Sequence, residues 1–369
     1  MSVLKKEPVA VISSLLAVVS IFFIPPDVKY FGYIDYKTIF CLFCLMASIK
    51  GIENEGFLSF LSDKMAKKIH QKRSLVFLLI FLCFFSSMLM TNDVALIAFV
   101  PITLTVLPVY KMEKYSAIIV VLQTLAANIG ASLTPIGNPQ NLFIFVKYDY
   151  NVLSFLTQTL PFVIFGGLLL IAACFLIPNG KLLKEDTINQ NGNSLNKNRL
   201  IIYFLLFILS ISAVFELIPF WIVTPVVIAS TFFIDKKTLV KVDYGLLLTF
   251  ISIFILVGNI TRIEDIKSFI TNCASVDTFL TAIGASQFIS NVPAAVMLSG
   301  FTNDAGKLLL GVNVGGLGTL IASMASVISF KLFSSSYPNK KGSYMLIFTV
   351  LNIAFLVLTY LFVLMTTTF

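Results

Sequence analysis

Two stretches of this chain place amide and hydroxyl side chains among apolar neighbours, at matching offsets. They read NIGASLTPIGNPQNLFIF from Asn128 to Phe145 and NVGGLGTLIASMASVISF from Asn313 to Phe330, sharing Asn, Gly, Thr, Ile and Phe in register. Gly130 and Gly137 permit close chain approach and unusual dihedrals. Pro135 and Pro139 each remove a backbone donor and free a carbonyl upstream. Ser132, Thr134, Asn138, Gln140 and Asn141 then add oxygens and amide donors. Such groups can solvate an anion through N–H and O–H, or a small cation through C=O. The second copy keeps Asn313, Gly315, Gly316, Gly318 and Thr319, then Ser323 and Ser326, with no proline and fewer amides. The chemistry expected of the pair is therefore asymmetric. Close helix packing through small residues would explain part of the pattern as well.

Two further polar points interrupt apolar runs: Thr91-Asn92-Asp93 within 74–109, and Ser290-Asn291-Val292-Pro293 within 276–300. A carboxylate at membrane depth is expensive, so Asp93 pairs, binds a cation or carries a proton, unless it caps the helix that follows. Non-helical backbone survives in hydrocarbon only where protein, ligand, ion or water meets it. Half-helix N-termini at such breaks favour an anion, and C-terminal carbonyls favour a cation such as Na⁺.

These residues need helices to hold them in a bilayer. Of 369 residues, 58% are hydrophobic and only 12% charged, with a mean hydropathy of +0.95. Soluble domains carry about 25% charge. Apolar runs recur at roughly 18–25 residues, enough to cross a core of about 30 Å. The fold class expected is an all-α polytopic membrane protein; a β-barrel would show short alternating segments instead. Crossings are expected at 8–26, 36–52, 154–177, 199–217, 220–235, 245–260 and 344–367, with broken helices at 114–147 and 307–330. The net charge of +8 comes from cations in short loops, which positive-inside placement explains without nucleic acid. Lys5, Lys6, the Lys64–Arg73 cluster, Lys181, Lys184, Lys197, Arg199, Lys236, Lys237, Lys241, Lys331, Lys340 and Lys341 all fall on the cytoplasmic side on one condition. Segments 74–109 and 276–300 must be re-entrant hairpins opening to opposite sides. The N-terminus is then cytoplasmic and the chain a multi-pass protein of the cytoplasmic membrane.

Asp35-Tyr36 and Asp243-Tyr244 open equivalent spans, each followed by an acidic loop, Glu53-Asn54-Glu55 or Glu264-Asp265. Two inverted-topology repeats result, each with a re-entrant hairpin and a broken helix. The first is 1–177, with hairpin 74–109 and broken helix 114–147. Residues 178–217 form a polar cytoplasmic linker and a connecting helix. The second repeat is 218–369, with hairpin 276–300 and broken helix 307–330. Repeats of this kind can present one site alternately to each side. Residues 54–73, with His70, read as an amphipathic helix at the lipid interface. With a single histidine in the chain, metal sites built on several imidazoles are excluded. The five cysteines read as small buried hydrophobes.

Gly130 through Asn141, with the two hairpin tips, resembles the ion-transporter superfamily of divalent anion–sodium symporters, citrate permeases, arsenite permeases and a sodium–proton antiporter family, and within it the small bacterial anion permeases. The resemblance covers essentially the whole chain. It implies a secondary transporter, not an enzyme, moving an organic carboxylate or inorganic oxyanion with Na⁺ or H⁺. It also implies a scaffold that supports a homodimer. Family hairpin tips carry Ser-Asn-Thr, which Asn92 and Asn291 match most directly. Neither tip keeps the terminal threonine, and Asp93 replaces the first. Substrate contacts are expected at Asn92, Ser132, Thr134, Asn138, Gln140 and Asn141, and at Ser290, Asn291 and Thr319. Cation coupling, with Na⁺ as the candidate ion and no other cofactor, is expected at Asn92, Asp93, Asn128, Gly130 and Gly137, and at Asn291, Asn313 and Gly315. The remaining readings are a sodium–proton antiporter, an arsenite-type efflux permease and, in another class, an ion channel. Membrane lipids and a small anion are the partners expected.

Overall fold

A computed structural model describes residues 8–57, 60, 71–182 and 196–366. His70, most of the amphipathic 54–73 stretch and most of the polar linker lie outside the described residues. Among the described residues the secondary structure is helical, and the one β-type pairing is an isolated bridge between Gln71 and Lys181. Six helices among the described residues are long and apolar enough to cross a membrane: Lys72–Leu89, Asn92–Val109, Glu113–Ala131, Val152–Cys174, Lys197–Val214 and Pro338–Thr366. The chain is a polytopic all-α membrane protein.

Among the described residues, aspartates start four other helices, Tyr36–Asn54, Tyr244–Ile260, Thr278–Ile289 and Ala305–Gly315. Asp35 accepts from the Thr38 N–H at 3.0 Å and from its hydroxyl at 2.9 Å, and Asp243 accepts from the Leu246 N–H at 2.9 Å. The two Asp-Tyr pairs thus do the same job, satisfying free N–H groups in a first helical turn. Asp277 and Asp304 cap Thr278–Ile289 and Ala305–Gly315 in the same way.

Two expectations change. Glu264-Asp265 was expected to be a loop but opens the helix Glu264–Val276. Acidic side chains in a first turn complement the N–H dipoles there, so the same residues suit a helix start. Residues 220–260, expected as two separate crossings, form Phe220–Val240 and Tyr244–Ile260, set at 84° to one another. Asp235 leaves helical geometry and accepts from the Lys237 N–H and the Thr238 hydroxyl, kinking the first of these helices just before its lysines.

The broken segments break where Gly and Pro predicted. Helix Ser116–Ala131 ends, residues 132–138 turn, and Pro139–Lys147 begins with proline at its first position, where no N–H is needed. Likewise Ala305–Gly315 and Met324–Ser336 flank 316–323. The first hairpin has arms Lys72–Leu89 and Asn92–Val109, each long enough for a full crossing; the second has shorter arms, Thr278–Ile289 and Asn291–Ser299.

By contacts the chain divides into two units. The first holds Met1–Lys50, Pro139–Val152 and Phe204–Gly316, and the second holds Gly51–Asn138, Leu153–Tyr203 and Leu317–Phe369. Each unit boundary in a broken segment falls at the break. Each unit therefore joins a hairpin and the first half of its own broken helix to the second half of the other broken helix. In the second unit Met324–Ser336 packs on Asn92–Val109 and Ser116–Ala131; in the first, Pro139–Lys147 packs on Asn291–Ser299 and Ala305–Gly315.

The duplicated glycines seat each broken helix on its hairpin. A Cβ at Gly130 would lie 2.1 Å from the Phe84 carbonyl oxygen and 2.6 Å from Ser87 Oγ. A Cβ at Gly315 would lie 2.7 Å from Ser286 Oγ and 3.0 Å from Ile283 Cα. Gly130→Ala and Gly315→Ala should each lower the thermal midpoint, in line with an overpacking cost of about 1–3 kcal/mol. Gly342→Ala, which meets open space, should not. Equal midpoints for all three would show that these contacts do not hold the hairpins.

Candidate functional site

In the second unit, the first hairpin tip, the end of Ser116–Ala131 and the start of Met324–Ser336 converge on one amide. Asn128 Oδ1 accepts from Asn92 Nδ2 at 2.9 Å and from Ser323 Oγ at 3.0 Å. The amide orientations follow from the network rather than from choice. Asn92 Oδ1 accepts from the Asp93 N–H at 2.9 Å, so Asn92 must present its Nδ2 to Asn128. Asn128 must answer with its oxygen, which leaves its Nδ2 as a donor. Among the described residues that nitrogen has no hydrogen-bond partner, and the residue is only 5% exposed. Leaving a buried donor unmatched costs about 1–3 kcal/mol.

The surrounding backbone is closed by short polar links. The Asn92 N–H donates to the Gly137 carbonyl at 3.1 Å, and the Thr134 hydroxyl donates to the Met88 carbonyl at the end of the first arm. Thr159 donates to the Leu133 carbonyl at 3.2 Å, and Ser132 donates back to the Asn128 carbonyl at 2.8 Å. A Cβ at Gly137 would sit 2.2 Å from the Ala131 carbonyl oxygen, so only glycine fits this turn. Asp93 is half-buried in the first turn of Asn92–Val109, with Thr91 at the cap position. Asn138 is buried in the break, whereas Thr319 is exposed in its counterpart.

The first unit holds a second, different cluster. Asn313 Nδ2 donates to Asn141 Oδ1 at 2.7 Å and to the Leu309 carbonyl at 2.9 Å. Gln287 Nε2 donates to the Gly315 carbonyl at 2.7 Å, and a Cβ at Gly316 would lie 2.8 Å from Asn291 Nδ2. Gln140, Asn141, Ser290 and Asn291 are all buried. Ser290 alone links the two arms, at φ 75° and ψ 153°, a region that essentially only glycine enters without strain.

Each cluster therefore gathers two helix N-termini and two helix C-termini around neutral amides and hydroxyls. Gln287 and Ser323 were absent from the residues expected to form the site. Ser323 lies inside the duplicated motif, and Gln287 is an amide within an otherwise largely apolar arm; these were the available signals. Among the described residues no group of three or more His, Cys, Asp or Glu could hold a metal ion.

The family model described as "Citrate transporter", CitMHS, matches residues 1–306. The chain belongs to this family. An uncharacterised transporter of Methanocaldococcus jannaschii is 38% identical over 332 residues, 89% of each chain. The inner membrane protein YbiR of Escherichia coli is 32% identical over 317 residues, 84% of each. A silicon efflux transporter of Oryza sativa subsp. japonica is 30% identical over 136 residues, 37% of this chain and 28% of its own length. As a family member the chain is a membrane-embedded secondary transporter of the anion-permease type rather than an enzyme.

The strain at Ser290 can be separated from its hydroxyl contacts. Ser290→Ala and Ser290→Gly both lose the hydroxyl, but only glycine relaxes the positive φ. Ser290→Gly should be the more stable of the two by about 1 kcal/mol or more in thermal unfolding. An alanine variant as stable as the glycine variant would remove the strain from this hairpin tip.

Proposed function

We propose that this family member carries an oxyanion or carboxylate by alternating access, coupled to Na⁺ or H⁺, and that Asn128 Nδ2 donates to an anion oxygen in the second unit. The carrying observation is that orientation-locked, buried donor. An anion would supply the missing acceptor, and the N-termini of Asn92–Val109 and Met324–Ser336 favour negative charge beside it. Asn128 was expected to bind the cation. Its oxygen already takes two hydrogen bonds, which makes it a poor cation ligand and a better anion donor.

Coupling falls to other groups in this reading. The Gly137 and Gly315 carbonyls each accept one hydrogen bond and keep a second lone pair. With Asn92 in one unit and Asn291 in the other, they are the Na⁺ ligands we assign. Asp93 is the group we assign to a proton, or to a cation charge beside the anion. Ser132, Thr134, Asn138 and Thr319 in the second unit, and Gln140, Asn141 and Ser290 in the first, remain the further groups we assign to substrate contact. The matched packing of Gly130 and Gly315, and the matched caps at Asp35 and Asp243, support two repeats of one plan. Positive-inside placement supports their inversion, with the N-terminus in the cytoplasm.

Uptake of radiolabelled citrate and succinate into proteoliposomes, under imposed Na⁺ or H⁺ gradients, tests the site. Asn128→Ala should cut uptake by about tenfold or more, the loss of a hydrogen bond to a charged group. Asn128→Asp should abolish it, because a carboxylate would face the anion. Ser323→Ala should retain most of it, since Asn92 still holds the Asn128 oxygen. Wild-type uptake preserved in Asn128→Ala would remove the donor role. Asp93→Asn should change which gradient drives uptake; unchanged ion dependence would clear Asp93 of coupling.

A further inference from the structure

A basic feature lies outside these clusters, at the foot of the first hairpin in the second unit. Helix Lys72–Leu89 begins with Lys72 and Arg73, and its first turn holds no acidic residue. Two cations at a helix N-terminus oppose the positive end of the dipole. The chain leaving Val152–Cys174 then brings a third. Gln71 bridges to Lys181, the Lys72 N–H donates to the Gly180 carbonyl at 2.9 Å, and a Cβ at Gly180 would sit 3.9 Å from Lys72 Nζ. Among the described residues no carboxylate pairs with Lys72, Arg73 or Lys181.

Arg73 is also held in a specific pose. Its guanidinium lies 4.7 Å from the centroid of the Phe175 ring, and Nη2 reaches the Ile177 carbonyl at 3.5 Å. Its Nε is buried, with no acceptor among the described residues. Below it runs an aromatic ladder: Phe175 meets Phe77 at 6.1 Å, Phe77 meets Phe81 at 6.0 Å, and Phe81 meets Phe85 at 5.9 Å between ring centroids. Both ends of that ladder are open, Phe175 being 56% exposed and Phe85 59%. A solvated basic corner needs none of this. A basic head over an exposed apolar track, on a helix long and apolar enough to cross a membrane, matches the shape of an anionic phospholipid.

We infer that this foot binds the phosphate of an anionic membrane phospholipid, with Lys72, Arg73 and Lys181 on the headgroup and an acyl chain along Phe77, Phe81 and Phe85. Positive-inside placement puts the corner in the leaflet whose surface is negative. Only that choice of leaflet rests on the topology proposed above.

Native mass spectrometry of delipidated protein titrated with phosphatidylglycerol or phosphatidylcholine tests the inference without any transport assay. The wild type should retain phosphatidylglycerol in preference. Arg73→Gln should weaken it about fivefold, and Lys72→Gln with Arg73→Gln by about that factor again. Phe85→Ala, at an exposed position, should weaken the lipid but leave binding of glycerol phosphate unchanged. Lys267→Gln, which removes a charge from another helix, should alter neither. Equal retention of the two lipids, or full preference kept in the double variant, would overturn the inference. Glycerol phosphate binding as tightly as the lipid, with Phe85→Ala silent, would also overturn it by making this a free-anion site.

Discussion

Backbone hydrogen bonding at the helix breaks governs the rest of this structure. A helix that stops inside hydrocarbon strands N–H and C=O groups that water cannot reach, and each must find a partner in the protein. Here the partners are supplied locally and sparingly. The Asn92 N–H takes the Gly137 carbonyl, Thr134 covers Met88, Thr159 covers Leu133, and Gln287 covers Gly315. Several polar residues expected to touch substrate are thus committed to closing backbone. What remains for a ligand is what that closure leaves over, and Asn128 Nδ2 is the clearest remainder.

The two clusters are built on one plan with different contents. In both, an Asn-x-Gly sequence at the end of a helix rests its glycine on the first arm of a hairpin, and the second half of the other broken helix completes the group. The second unit centres on an amide oxygen that two donors hold, with Asp93 in the adjoining turn. The first unit centres on an Asn313–Asn141 pair with both Asn313 donors engaged, no acid at the tip and a strained serine there. The two clusters thus differ in that one has an acidic residue beside its amides and the other does not.

Much of this was legible in the sequence because the breaks are written in covalent chemistry. Gly130, Pro135, Gly137 and Pro139 mark the first interruption wherever the chain is placed, and Thr91-Asn92 and Ser290-Asn291 put polar residues where new helices begin, although neither the Thr91 nor the Ser290 side chain makes the cap hydrogen bond. The helix at Glu264 was missed because acids that open a loop also open a helix. The 84° bend was missed because Asp243 marks where a span starts but not the angle at which the chain enters it. Regrouping of the half-helices was invisible: no local signal says that Pro139–Lys147 packs with Asn291–Ser299. The donor at Asn128 was hidden for the same reason. Which way an amide faces depends on partners 36 and 195 residues away.

Solute counterflow in proteoliposomes tests the central claim most directly. Vesicles loaded with unlabelled citrate or succinate, and diluted into a trace of the labelled compound with no ion or voltage gradient, should show a transient overshoot of label. A carrier that exposes one site alternately produces that overshoot by exchange. Equilibration without overshoot, together with large voltage-driven currents, would contradict alternating access and make the breaks the lining of a channel.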